Sequence, residues 1–109
     1  MTTQTIDSIN EVVVILKDAA QIADCWRPDR MDYPDTEGNI EITLTAYGHL
    51  EANLTLGHGI TGNKDNVGMS IRDVLMDPEQ FYTAIRDMAI KNKFAVDAKL
   101  IKHYNRTRA

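Results

Sequence analysis

The chain has 109 residues, of which 43% are hydrophobic and 26% are charged, a composition that fits one small globular domain and argues against global disorder. Its formal net charge is −4, and its only cysteine is Cys25, which excludes an internal disulfide and a cysteine-based metal cluster. The N-terminus lacks the basic and apolar regions of a signal peptide, and the longest apolar run, Val12 to Leu16, is too short to span a membrane. We therefore expect a single domain over residues 1–109, located in the cytoplasm and not attached to a membrane.

The first predicted element is a helix over residues 8–26. Its run of β-branched residues would also suit a strand, but the apolar positions recur with helical spacing and cover about half of the circumference. Ser8 and Glu11 match a capping box, and Pro28 ends the pattern. This predicts an apolar helix face wide enough to lie across a sheet.

A β-hairpin is predicted next, because apolar and polar residues alternate strictly over 39–47 and again over 50–57. A two-residue turn would set the apolar side of one strand against the polar side of the other. A three-residue loop, Tyr47 to His49, instead pairs Ala46 with Leu50 and places all apolar side chains on one face. We therefore expect the three-residue loop.

The glycine-bearing segment 57–68 is predicted to be a loop, with a short third strand near 67–70 that would stabilise the hairpin. The remainder is predicted to be helical, with Asp77 and Pro78 as the start of the middle helix. The predicted class is therefore α+β, a small antiparallel sheet packed on one face by helices. The predicted helices cover residues 8–26, 70–76, 78–91 and 95–105.

Positive charge is concentrated at the C-terminal end of the chain. Residues 91–109 contain six lysines and arginines and one acid, whereas residues 1–90 contain six basic and fifteen acidic residues. The asymmetry has three interpretations: ordinary solvated surface, a basic helix that contacts nucleic acid or an acidic protein, and an acidic body that imitates nucleic acid. The candidate basic stripe on the last helix consists of Lys99, Lys102, His103 and Arg106.

The residue types that could support catalysis are not arranged for it. His49 and His58 lie at opposite ends of the second predicted strand, roughly 25 Å apart, and cannot share a metal. Glu41 and Glu51 would be about 13 Å apart in the predicted register, beyond the ~5–9.5 Å between paired catalytic carboxylates. Cys25 would be partly exposed and has no histidine beside it in sequence. We therefore expect no enzyme activity, no cofactor and no metal.

The polar face of the hairpin is the predicted partner-binding surface. If the helices cover only the apolar side of the sheet, the other side stays open to solvent. Such a face could bind another protein, and an unpaired sheet edge could bind a second copy of the chain. The residues that we assign to this surface are Glu41, Thr43, Thr45, Tyr47, Glu51 and Asn53.

These observations favour a small non-enzymatic binding or regulatory protein that acts through protein–protein contact. One concrete version is an inhibitor of a host machine, encoded by a virus or a mobile element. The alternative is a nucleic-acid-binding module that uses the basic region 91–108. A third hypothesis is a small-molecule binder or a minor enzyme with its site at the loop 57–68.

Overall fold

The computed structural model describes the backbone of residues 2–57 and 63–96, and the side chains of residues 9–57 and 65–96. It confirms the α+β class: three helices accompany one three-stranded and one two-stranded antiparallel sheet over these ranges. None of the described helices combines the length and the hydropathy needed to cross a membrane. The elements in chain order are α1 (Thr2–Asp24), β1 (Trp26–Pro28), β2 (Gly38–Leu44), β3 (His49–Leu56), β4 (Asn63–Ser70), α2 (Ile71–Met76), α3 (Pro78–Lys91) and β5 (Phe94–Val96).

The N-terminal helix forms, but its predicted ends at residues 8 and 26 are wrong. α1 begins at Thr2, so Ser8 lies inside the helix and not at its cap. The helix ends at Asp24, because Trp26 begins β1 and pairs with Val96 of β5. Tertiary pairing therefore overrides the helical spacing at this end of the pattern.

Only part of the predicted apolar face of α1 is buried. Ile15, Ala19 and Ile22 are 6%, 0% and 6% exposed, as expected of residues that lie against the sheet. Ile9 and Val13 share the predicted face but are 58% and 43% exposed. The N-terminal half of α1 thus carries apolar side chains that the described part of the chain does not cover.

The main sheet has the strand order β2-β3-β4, with both pairs antiparallel. The predicted third strand is present as β4, but it begins at Asn63 and not near residue 67. About half of the predicted loop 57–68 is therefore strand, and residues 58–62 of that loop lie outside the described residues.

The predicted three-residue hairpin loop is wrong. Leu44 pairs with Leu50, and the chain reverses over residues 45–48, so that the register differs from the predicted one by two residues. Because side chains alternate between the faces with a period of two, an even displacement keeps every side chain on its predicted face. The apolar and polar faces of the hairpin are therefore as predicted, although the pairs across it are not.

The helices after β4 form close to their predicted bounds. α2 begins one residue later than predicted, at Ile71, and the Ser70 hydroxyl accepts a hydrogen bond from the Asp73 amide as its N-cap. α3 begins at Pro78 and ends at Lys91, as predicted.

The predicted helix 95–105 is wrong where it can be compared, since Phe94–Val96 forms β5. Lys93 adopts a left-handed backbone conformation (φ 63°), which ends α3 and turns the chain back toward β1. Residues 97–105 of that prediction lie outside the described residues.

All three helices pack on one face of the main sheet, and the core lies between them. Leu50, Ala52 and Leu54 of the central strand are completely buried, as are Phe81 and Ile85 of α3. The two-stranded sheet lies at the Gly38 end of β2. A Cβ on Gly38 would lie 2.5 Å from the Thr55 carbonyl oxygen and 3.0 Å from the Pro28 side chain, so only glycine fits there.

A buried asparagine connects three segments at the end of α3. Asn92 is 8% exposed, and its Nδ2 atom donates to Asp65 Oδ2 of β4 at 2.9 Å and to the Met88 carbonyl at 2.9 Å. The Tyr33 hydroxyl donates to the Asn92 carbonyl at 3.2 Å. Asn92 therefore links the connector before β2 to strand β4 and to the end of α3 through hydrogen bonds.

We expect Lys93→Gly to stabilise the protein by about 0.5–1 kcal/mol, because an L-residue in the left-handed conformation is strained and glycine is not. Lys93→Ala is the matched control, because both variants lose the exposed ion pair to Asp32 (3.7 Å), but alanine keeps the Cβ. Urea denaturation measures both free energies of unfolding. Equal stability of the two variants would show that this backbone conformation is not a source of strain.

Candidate protein-binding surface

The face of the main sheet opposite the helices is open and polar. Side chains at alternate positions of all three strands point away from the core, and none of the described elements packs over them. We call this face the outer sheet surface. It consists of Asn39, Glu41, Thr43, Glu51, Asn53, Thr55, Asn66 and Gly68.

Hydrogen bonds between strands hold several of these side chains in place. Asn53 Nδ2 donates to Thr43 Oγ1 at 3.3 Å, and Thr55 Oγ1 donates to Asn39 Oδ1 at 2.7 Å. A Cβ at position 68 would lie 3.3 Å from Glu51 Cγ, so Gly68 leaves room for the Glu51 side chain to lie across β4. Several side chains of the surface are therefore ordered before any partner binds.

The outer sheet surface is acidic. Its only charged side chains in the described part of the chain are Glu41 and Glu51, with no lysine or arginine among them. A partner that complements this surface would present basic groups or neutral hydrogen-bond donors.

The corrected register brings these two carboxylates closer together than predicted. Glu51 is opposite Thr43 and is a diagonal neighbour of Glu41, a separation of about 7–8 Å between backbone positions in place of about 13 Å. Distance therefore no longer argues against a carboxylate pair. Glu41 borders a groove beside β2 whereas Glu51 does not, so no pocket in the described part of the chain surrounds both carboxylates.

Thr45 is in the loop and not on the strand where it was predicted, whereas Tyr47 is in the loop, as predicted. Tyr47 is 92% exposed at the end of the outer sheet surface. The Thr45 amide donates to the His49 carbonyl at 2.8 Å, and its hydroxyl accepts from the amides of Tyr47 (3.3 Å) and His49 (3.2 Å). Thr45 thus fixes the loop that presents Tyr47.

The basic residues assigned from sequence cannot be placed. Lys99, Lys102, His103 and Arg106 lie outside the described residues. The first two positive charges of the basic region face acids of the body: Lys91 Nζ lies 3.9 Å from Asp65 Oδ2, and Lys93 Nζ lies 3.7 Å from Asp32 Oδ1.

A groove beside β2 was not found by sequence reasoning. It has a volume of about 630 Å³ and lies between the strand and the C-terminal half of α1. The strand side is formed by residues 39–42 and the helix side by Ala20, Gln21, Asp24 and Cys25. Ala20 was predicted as part of the apolar face of α1, and the structure shows it exposed at this groove.

The single cysteine is buried at this groove, which corrects the predicted partly exposed thiol. Cys25 is 5% exposed, and its Sγ donates to the Gln21 carbonyl at 3.3 Å. Over the residues with described side chains, no three His, Cys, Asp or Glu residues are close enough together to hold a metal ion. His49 is exposed at the start of β3, whereas His58 and His103 lie outside the described residues.

We expect Thr45→Val to loosen the loop and to cost about 0.5–1.5 kcal/mol, because the hydroxyl that accepts two backbone hydrogen bonds is removed. Hydrogen exchange should then speed up at the amides of Tyr47 and His49. Thr43→Val, which removes a side-chain hydrogen bond on the strand, should leave these two amides unchanged. Unchanged exchange in Thr45→Val would mean that the hydroxyl does not hold the loop.

Comparison with known proteins adds no family to these observations. No protein-family model matches the chain, and no curated protein or solved structure is significantly similar to it.

Proposed function

We propose that the chain is a small non-enzymatic regulatory protein that recognises another protein through its outer sheet surface and Tyr47. The observation that supports this most directly is a polar face that none of the described elements covers, with an exposed aromatic side chain at its end. An open face alone is common in antiparallel sheets. The exposed aromatic residue and the ordered polar side chains distinguish this one.

Tyr47 has the properties of an interface anchor. Tyrosine is enriched among residues that dominate binding energy, because it offers a large rigid area and one hydroxyl. At 92% exposure it makes little contact within its own chain, so its position in the loop has no evident role in the core. Thr45 holds the loop, which lowers the entropy that binding would otherwise cost.

The charge of the chain indicates the kind of partner. The described side chains include fourteen acids and seven bases, and the outer sheet surface itself carries two acids and no base. We therefore propose a partner with a basic surface, such as a machine that normally binds a polyanion. An inhibitor encoded by a virus or a mobile element is one version of this proposal, and the cytoplasm is its expected location.

Affinity capture from a lysate of the source organism tests the proposal. We expect one protein to be enriched by the wild-type chain, to be lost with Glu41→Lys/Glu51→Lys, and to bind at least ~10-fold more weakly to Tyr47→Ala. Glu11→Lys/Asp87→Lys makes the same charge change on exposed helix positions and should retain the partner. A partner that survives the sheet variant but is lost with the helix variant would contradict the proposal.

The alternative, nucleic-acid binding through the basic region 91–108, makes a different prediction. It requires binding to generic DNA or RNA that weakens steeply between about 50 and 200 mM salt and that disappears in Lys99→Ala/Lys102→Ala/Arg106→Ala. The protein-binding proposal predicts no such binding. Fluorescence anisotropy with a labelled oligonucleotide distinguishes the two.

A further inference from the structure

One edge of the main sheet, β2, has backbone groups that pair with none of the described residues. The Thr45 amide bonds to the His49 carbonyl and the Gly57 amide to the Glu37 carbonyl, so odd-numbered positions of β2 point toward β3. Backbone direction alternates along an antiparallel strand. The amides and carbonyls of Ile40, Ile42 and Leu44 therefore point away from β3, and nothing in the described part of the chain pairs with them.

The opposite edge, β4, carries features that prevent such pairing. Its pairing with β3 shifts between Leu54 and Thr55, and the strand contains Lys64, Asp65 and Gly68. Charges and bulges are usual means by which sheet edges avoid other strands. β2 has seven residues, no proline, no lysine and no shift in its pairing, and its one charged residue, Glu41, is on the outer sheet surface.

We propose that β2 pairs antiparallel with the β2 strand of a second copy, which joins two three-stranded sheets into one of six strands. A two-fold axis at Ile42 places Ile42 opposite its own copy and Ile40 opposite Leu44, so all the free groups of these residues are paired. The inner side of the seam is then entirely aliphatic. On the outer side Glu41 faces Thr43 of the second copy, and the two carboxylates are not directly opposed.

The helix beside β2 provides apolar surface at the same seam. Pro28 lies beside Gly38, where an added Cβ would be 3.0 Å from its side chain, and the last turns of α1 line the groove with residues 39–42. α1 therefore ends near the start of β2, and its N-terminal half lies toward Leu44. Ala20 lines the groove beside β2, and Val13, seven residues earlier, shares that flank of the helix. Val13 and Leu44, which are 43% and 48% exposed, therefore lie on the side that the second copy would cover.

The apolar flank of α1 also enlarges the contact between the two copies. Strand pairing alone buries little surface, whereas a stable interface buries roughly 800 Å² per partner. The exposed side chains of Val13 and Leu44 add apolar area to the strand contact.

Sedimentation velocity on the purified protein over about 1–200 µM tests the association. We expect a species of about twice the 12.3 kDa of one chain, whereas Leu44→Lys and Val13→Lys should each weaken dimerisation at least ~10-fold. Ile90→Lys is the matched control, because Ile90 is 57% exposed on α3, away from the seam, and should leave the dimer intact. Circular dichroism checks that each variant is folded. A wild-type monomer at the highest concentration, or a dimer that survives both seam variants, overturns the proposal.

Cysteine pairing tests the register. In a Cys25→Ala background, Glu41→Cys and Thr43→Cys chains should form a disulfide-linked dimer when mixed and oxidised, and neither chain should do so efficiently alone. Cross-linking of the Glu41→Cys chain with itself would overturn the axis at Ile42. These measurements need no other protein, so their outcome does not depend on whether the proposed function is correct.

Discussion

The fold depends on the burial of one strand by helices that all lie on the same side. Leu50, Ala52 and Leu54 of β3 are fully buried, and the strand has a neighbour on each edge. At roughly 25 cal/mol per Å² of apolar surface, these side chains and the helix residues above them supply much of the driving force for folding. A chain of 109 residues can build only one such core. With the helices on one face, the other face and the outer strand β2 remain for contacts with other molecules.

The two proposals use different parts of this arrangement. The outer sheet surface is a face of side chains, in which recognition depends on charge, hydrogen bonds and Tyr47. The β2 edge is a row of backbone groups, in which recognition depends on strand geometry and on the apolar flank of α1. Pairing at the edge would join two outer sheet surfaces into one continuous face, so a partner could contact both copies at once. The two interactions are compatible because they do not compete for the same atoms.

The helices, the hairpin and its two faces could be predicted because each leaves a local signal: helical spacing in α1, alternation in β2 and β3, and Asp77-Pro78 before α3. The hairpin register could not, because Thr45 closes the loop with its hydroxyl, and alternation does not distinguish registers that differ by two residues. The strand β5 was missed because its partner β1 is about 70 residues earlier in the chain. The outer sheet surface could be predicted from the alternation of polar and apolar residues. The groove beside β2 could not, because it depends on how α1 lies over the sheet.

Asn92 has a consequence for how the protein opens. Its amide and carbonyl bind β4, the end of α3 and the connector that carries Tyr33. Withdrawing β4 removes the Asp65 acceptor of the Asn92 amide, and withdrawing the connector removes the Tyr33 donor to the Asn92 carbonyl. Either loss leaves a polar group of the buried Asn92 without that partner, which raises the free energy of partial opening. The small β1–β5 sheet, although only three residues long in each strand, is therefore tied to the main sheet as one cooperative unit and should not fray independently of it.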